Sequence, residues 1–135
     1  MKYLCLIYDD ESAMAAMPKP EADAFMGDYF AFTEEARAGG HYVAGEALHP
    51  VHTATTVRIR NGQMTTTDGP FAETREQLGG FYLIEARDLN EALRVAARIP
   101  SARTGSVEVR PVVDFGQPPA DAAAAPGREA SAVPA

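Results

Sequence analysis

Two short segments of this chain are apolar on both faces, and they constrain its fold more than any other feature. In residues 2–8 and in residues 80–86, apolar or aromatic side chains occupy both the odd and the even positions. A strand with this pattern belongs in the middle of a sheet, because both of its faces must be covered. The sequence therefore predicts a sheet in which these two segments are central strands.

Two helices are predicted from the spacing of apolar residues. The first spans residues 21–38, where one stripe repeats at intervals of four, three and four: Phe25, Tyr29, Phe32 and Ala36. The paired glycines at 39–40 are expected to end it. The second helix is predicted to begin at Asp88, with Glu91 placed for a capping box. Its predicted inner stripe is Leu89, Leu93 and Ala96.

The remaining strands are predicted at residues 41–48, 55–60, 63–68 and 106–113. The Asn61-Gly62 pair predicts a β-hairpin between the second and third of these, since a type I′ turn needs positive φ at both positions. Val57 and Ile59 alternate with arginines, so one face of the hairpin is expected to be solvated. Residues 9–19 are predicted to be a connection rich in polar residues, Met and Ala.

The predicted order of elements is β-α-β, hairpin, β-α-β. Without the hairpin this is the ferredoxin-like βαββαβ pattern, which places residues 2–8 and 80–86 side by side in the sheet. The expected fold class is therefore α+β, with both helices on one face. The other face would present an apolar surface that a soluble monomer does not tolerate. We therefore expect a homodimer that buries sheet against sheet.

Composition sets the size of the folding unit and excludes several classes of function. Residues 117–135 hold eight Ala and four Pro, which predicts an extended or disordered tail after a domain of residues 1–116. A net charge of −7 argues against binding nucleic acid or an anionic membrane surface. The apolar run at the N-terminus is too short for a signal peptide or a membrane span, and the single Cys5 allows no internal disulfide. The expected location is the cytoplasm.

The densest chemical signal lies in residues 68–81. Gly69-Pro70 is a turn signal, and the Asp68 carboxylate could serve only to cap the turn amides. Alternatively, Asp68 lies at the mouth of a cleft with Glu73 and Glu76 nearby. Crowded carboxylates raise one another's pKa, which suits one of them to proton transfer. Asp68 is therefore the candidate catalytic residue.

Two weaker signals come from histidines and tyrosines. Glu46, His49 and His52 are three residues apart and could form a loop metal site with Asp68 as a further ligand. Pro50 excludes a helical ligand face, however, and ordinary loop histidines are favoured. The glycines show no phosphate-binding spacing, and no nucleophile elbow occurs, so neither a metal nor a cofactor is predicted.

Tyr8, Tyr82 and Arg110 fall on three predicted strands. Packing or solvation at a sheet edge is their favoured role. As an alternative, an arginine beside two tyrosine hydroxyls would suit a small carboxylate or phenolate.

Residues 68–74, Asp-Gly-Pro-Phe-Ala-Glu-Thr, and residues 76–82, Glu-Gln-Leu-Gly-Gly-Phe-Tyr, resemble the signature of the DGPF group of YCII-related proteins. Further similar stretches lie at residues 2–8, 44–48, 54–58 and 107–111. The resemblance covers about residues 1–113. It implies a dimeric α/β barrel, in which two ferredoxin-like sheets face each other.

The resemblance also implies a cleft near the dimer interface and a His–Asp pair for acid–base chemistry. The family's histidine lies on or near the first helix, but residues 21–38 contain no His, so only an acidic partner, Asp68, remains as a candidate. The other candidate residues for binding a small molecule are Tyr8, Glu46, His49, Phe71, Glu73, Tyr82 and Arg110.

Three hypotheses of function follow. The first is a cofactor-free acid–base enzyme acting on a small molecule, with Asp68 as the proton carrier. The second is a small-molecule-binding module that does no chemistry. The third, which the family resemblance implies, is a regulatory partner of a sigma factor of the extracytoplasmic-function type.

Overall fold

The computed structural model describes residues 1–116, which form a four-stranded sheet, a separate hairpin and four α-helices. The strands are β1 (Lys2–Asp9), β2 (Tyr42–Ala47), β3 (Thr55–Arg60), β4 (Gln63–Asp68), β5 (Gln77–Glu85) and β6 (Ser106–Pro111). The helices are α1 (Glu11–Ala15), α2 (Lys19–Ala38), α3 (Leu89–Ala96) and α4 (Ser101–Thr104), and Val51–Thr53 forms a 3-10 turn. The predicted tail, residues 117–135, lies outside the described residues.

The strand order in the main sheet is β2-β5-β1-β6, and every neighbouring pair is antiparallel. This is the arrangement of a ferredoxin-like βαββαβ domain, with the β3–β4 hairpin inserted between β2 and β5. The predicted α+β fold class is confirmed. The two segments predicted to be central, residues 2–8 and 80–86, do lie side by side in β1 and β5.

Side chains alternate along the central strands and divide the sheet into a helix-covered face and an open face. Tyr3, Cys5 and Ile84 are buried on the helix-covered face, where they pack with Phe32 and Ala36 of α2. Cys5 is fully buried, as expected for a structural thiol. The core of the domain therefore lies between this face and the helices.

The open face is the surface formed by four half-buried apolar residues of β1 and β5: Leu4, Leu6, Phe81 and Leu83. Glu108 and Arg110 of β6 lie opposite Leu6 and Leu4, and Arg110 Nε donates a hydrogen bond of 2.7 Å to the Glu108 carboxylate. An apolar strip with a charged border is thus left without a covering element among the described residues.

Helix α2 confirms the predicted stripe but begins two residues earlier than predicted. Pro20 lies in its first turn, where a missing N–H costs nothing because that group has no partner in the helix. The stripe faces the sheet, with its first two members half-buried and its last two buried: Phe25, Tyr29, Phe32 and Ala36. Gly40, just beyond the helix, has a φ of 78°.

Helix α3 begins as predicted, but of its predicted inner stripe only Ala96 is confirmed as buried. The Asp88 carboxylate accepts from the Glu91 N–H at 2.9 Å and caps the helix. Leu89 and Leu93 are 48% and 46% exposed, whereas the buried residues are Ala92, Val95 and Ala96. Small side chains let α3 lie close to the sheet, and the two leucines fall on its flank.

Two other predictions are corrected by the structure. Residues 11–15 of the predicted connection form α1, because the Asp10 carboxylate accepts from the Ser12 and Ala13 amides and caps a helix. The hairpin has its predicted bounds, and positive φ at Asn61 and Gly62 confirms the type I′ turn. However, Val57 and Ile59 are 59% and 67% exposed. The face that carries Val57 and Ile59 is therefore solvated, whereas Thr56 and Arg58 on the other face are half-buried.

Candidate binding groove

A groove of about 910 Å³ lies between α2 and the sheet, with α1 at its side. Its volume falls in the range of small-molecule sites, roughly 300–1,000 Å³. Much of its lining is apolar and comes from the two helices and the connection between them: Met14, Met17, Phe25, Met26 and Phe30. The cap at Asp10 matters here, because it starts the short helix that carries Met14 to the groove.

A chain of hydrogen bonds joins three residues that line the groove. Ser101 is 1% exposed, and its hydroxyl donates to the Asp9 carboxylate. Because that proton is committed, the Tyr29 hydroxyl must be the donor in its 2.5 Å hydrogen bond with Ser101 Oγ. Thr104 donates to the other Asp9 oxygen at 2.7 Å. The chain therefore runs from Tyr29 through Ser101 to Asp9 and ties α2 and α4 to the end of β1.

A second chain of hydrogen bonds orients Tyr82. The Thr33 hydroxyl donates to the Tyr29 carbonyl at 3.0 Å. Since a hydroxyl has one proton, the Tyr82 hydroxyl is the donor in its 2.7 Å hydrogen bond with Thr33 Oγ1. Gly45 of β2 lets the Tyr82 ring lie flat against the sheet, because a Cβ there would come within 2.8 Å of the ring.

Burial keeps both phenols protonated at neutral pH. It raises the pKa of Tyr29 above its ordinary value of 10.0; the hydrogen bond with Ser101 opposes the rise and the Asp9 charge adds to it. Burial likewise raises the pKa of Tyr82, and the hydrogen bond with Thr33 opposes it. Neither tyrosine is therefore a base at neutral pH, and each oxygen keeps lone pairs that can accept a hydrogen bond.

The charged residues that line the groove are mostly acidic. Asp9, Glu11, Glu34 and Glu46 contribute carboxylates, and Arg37 contributes a guanidinium. Arg37 stacks 4.2 Å from the ring centre of Tyr42, and its Nε lies 3.9 Å from the Glu34 carboxylate. The cation is thus held at the C-terminal end of α2, eight residues or about 12 Å along the helix from Tyr29.

Of the eight residues predicted to form a site, Glu46 and Tyr82 line this groove. Asp68 and Glu73 are exposed, and Phe71 is 81% exposed in the segment that follows the hairpin. The Gly69 N–H donates to the Ala54 carbonyl, so Asp68 is not its cap. The catalytic role of Asp68 and the binding roles of Phe71 and Glu73 stay predictions.

Within one protomer, the strand register does not bring Tyr8, Tyr82 and Arg110 to one face of the sheet, and their predicted binding of a small molecule stays a prediction. Tyr82 lies opposite Cys5 on the helix-covered face, whereas Arg110 lies opposite Leu4 on the open face. Tyr8 alternates with the buried Ile7 and also belongs to the open side. Strand periodicity therefore separates Tyr82 from the other two, and one ligand on one face cannot contact all three.

The loop histidines are not brought together as metal ligands. His49 and His52 are exposed on either side of Pro50. Within residues 1–116, no group of three or more His, Cys, Asp or Glu side chains is placed to hold a metal ion. His49 lies outside the groove lining, so its predicted contact with a small molecule stays a prediction.

Sequence reasoning missed the four lining residues whose side chains, apart from Tyr82, form the two hydrogen-bond chains: Asp9, Tyr29, Thr33 and Ser101. Tyr29 was predicted only as a member of the apolar stripe of α2. A signal did exist, because Tyr29 and Thr33 place two hydroxyls at positions i and i+4, in and beside that stripe. Nothing in the local sequence marks Ser101, which lies 92 residues from its partner Asp9.

Fold and groove together define a ferredoxin-like α+β domain with a concavity of the size that small molecules occupy. The YCII-related domain family matches residues 1–116 of the chain. An uncharacterised protein of Rhizobium meliloti (strain 1021) is 42% identical over 114 residues, which cover 83% of this chain and 92% of that protein. The chain therefore belongs to the YCII-related family. Its assignment to the DGPF group stays a prediction.

Among residues 1–116, no helix is both long enough and apolar enough to cross a bilayer.

Proposed function

We propose that this YCII-related protein binds a small, largely apolar molecule in the groove between α2 and the sheet. One observation carries the proposal: an apolar groove of about 910 Å³ contains a few oriented polar groups. Ligand sites commonly combine apolar walls with a small number of placed polar atoms. Binding in the groove requires no catalytic step. The proposal is therefore the hypothesis of a small-molecule-binding module, not that of an acid–base enzyme.

Acid–base catalysis would need a titratable group in contact with the bound molecule. Asp68 is exposed and lies outside the groove lining, so a role for it in this groove finds no support here. Tyr29 and Tyr82 have raised pKa values, and each donates its hydroxyl proton to another side chain of the protein. Binding is therefore the function that the groove supports best.

The proposal is tested by a substitution that fills part of the groove. Ala22 lines it, whereas Ala24 is exposed two residues away on the same helix and does not line it. Titration with the uncharged fluorescent probe N-phenyl-naphthylamine should show binding to the wild type. We expect Ala22→Phe to weaken that binding by about tenfold or more, because a phenyl ring occupies the space of the ligand.

Ala24→Phe is the matched control and should bind the probe as the wild type does. Asp68→Asn should also leave binding unchanged, because Asp68 lies outside the groove lining. Equal probe affinity in the wild type, Ala22→Phe and Ala24→Phe would overturn the proposal, provided that melting curves show all three to be folded.

A further inference from the structure

We propose that the groove recognises a ligand whose polar end donates hydrogen bonds, namely an apolar amine carried as its ammonium ion. This inference rests on the proposed binding function and names the chemical class of the ligand. It depends on where the donor protons of the lining side chains go, and on the sign of the charge around them.

The donor protons at the Tyr29 end of the groove are already used within the protein. Tyr29 donates to Ser101, Ser101 donates to Asp9, Thr33 donates to the Tyr29 carbonyl, and Tyr82 donates to Thr33. The amide nitrogen of Gln77 likewise donates to the Thr74 carbonyl at 2.6 Å. What these hydroxyls still offer a ligand is the lone pairs on their oxygens, and lone pairs bind donors.

Charge along the groove favours the same ligand. Its lining holds four carboxylates, those of Asp9, Glu11, Glu34 and Glu46, and each accepts hydrogen bonds but donates none. A carboxylate or phosphate on the ligand would meet like charges in a half-enclosed space, where such repulsion is screened less than in water. An ammonium group has three donor protons and one positive charge, which complements both the acceptors and the carboxylates.

Arg37 is the counter-argument within the lining, and its position limits its effect. Its guanidinium is stacked on Tyr42 near Glu34, about 12 Å along α2 from Tyr29. Burial raises the pKa of Tyr82 and the charge of Arg37 opposes that rise, so the charge reaches that side chain, but the four carboxylates of the lining outnumber this one guanidinium. An ammonium beside Tyr29 and Asp9 therefore lies next to a carboxylate, while the apolar part of the ligand lies along Phe25 and the methionines of α1 and α2.

The experiment compares three molecules with the same phenethyl group and different polar ends: phenethylamine, phenethyl alcohol and hydrocinnamate. Each competes with N-phenyl-naphthylamine for the wild-type protein at neutral pH and low salt. We expect phenethylamine to displace the probe at about tenfold lower concentration than hydrocinnamate, with the alcohol between them. Hydrocinnamate that competes as well as phenethylamine, or better, would overturn the inference.

Charge-removing variants locate the effect. Asp9→Asn should reduce the preference for phenethylamine over hydrocinnamate, because it removes the carboxylate nearest the Tyr29 hydroxyl. Should Asp9→Asn fail to fold, Glu34→Gln gives the same test on an exposed side chain and should lower the preference by about twofold. Glu35→Gln is its matched control, since Glu35 is exposed outside the groove lining, and the preference should not change.

The failure of this inference and the failure of the proposed function give different results. A probe whose binding is lost in Ala22→Phe, but which the amine and the carboxylate displace equally, supports groove binding and contradicts amine selectivity. A probe that binds equally to Ala22→Phe and the wild type contradicts groove binding itself, and the inference falls with it.

Discussion

The direction of single hydroxyl protons decides what the groove can offer to a ligand. The sequence alone does not distinguish the hydroxyls of Tyr29 and Tyr82 from those of other tyrosines. In the structure each donates to a neighbouring hydroxyl, because Ser101 and Thr33 have already given their own protons to Asp9 and to the Tyr29 carbonyl. The two tyrosine hydroxyls are therefore available to a ligand only as hydrogen-bond acceptors. This gives an otherwise apolar groove a preference for ligands that donate hydrogen bonds.

Ionisation of the Cys5 thiol is expected to lower the free energy of unfolding at alkaline pH. Burial raises its pKa from 9.0 to about 11. A raised pKa in the folded state means that the contribution of the thiol to stability is complete below pH 9 and is lost as the pH rises toward about 11. We expect the free energy of unfolding to fall by roughly 2 kcal/mol more over this range in the wild type than in Cys5→Ala.

Urea unfolding under reducing conditions at several pH values measures this difference. Cys5→Ala removes a buried side chain and should lower stability at every pH, so the informative quantity is the slope with pH. Tyr29 and Tyr82 also have raised pKa values, but they titrate in both proteins and cancel in the comparison. Parallel curves for the two proteins would contradict a role for the thiol.

Individual strands, turns and helices could be predicted where a short stretch of sequence determines their conformation. The hairpin follows from Asn61-Gly62, which supplies the two positive φ angles that its turn requires. The α3 stripe was not predictable in this way, since the choice between its leucines and its alanines depends on how closely the helix approaches the sheet. A hydrophobic pattern identifies a helix, but the depth of its packing is a tertiary property.

The N-cap of α3 gives a test at this scale. Asp88 accepts from the Glu91 N–H at 2.9 Å, and Glu91 accepts in turn from the Arg87 N–H at 2.9 Å. We expect Asp88→Ala to lower the free energy of unfolding by about 1 kcal/mol, because the first turn loses its acceptor. Asp88→Asn retains an acceptor oxygen and should stay close to the wild type in urea unfolding. Equal losses in both variants would mean that the charge, rather than the cap, stabilises α3.

At the scale of the molecule, the fold could be predicted from the sequence more completely than the groove. Two strands apolar on both faces require a covered sheet, and that requirement alone orders β1 and β5 in the centre. The groove depends instead on a residue of β1 meeting one of α4, 92 positions later. Periodicity within a segment carries no information about which distant polar residues will meet, so Asp9 and Ser101 could not be selected from the sequence.

The open face carries the last prediction. Leu4, Leu6, Phe81 and Leu83 form an apolar strip across the two central strands, and no described element covers it. A second copy of the chain is the partner whose size and pattern match such a strip, since an isologous contact places the same four residues on both sides. We therefore expect the protein in solution to have twice the mass of one 14.4 kDa chain at micromolar concentration.

Light scattering after size exclusion measures that mass, and variants show which surface is responsible. Leu6→Glu places a charge in the strip and should yield a monomer, because a buried carboxylate without a partner costs several kcal/mol at an interface. Arg110→Glu places a second negative charge at the border, beside Glu108, and should weaken the dimer without changing the core. Leu93→Glu, on the flank of α3 in the opposite layer, is the matched control and should leave the mass unchanged. A wild-type monomer at micromolar concentration would contradict the dimer, and an unaltered mass in Leu6→Glu and Arg110→Glu would move the contact to another surface.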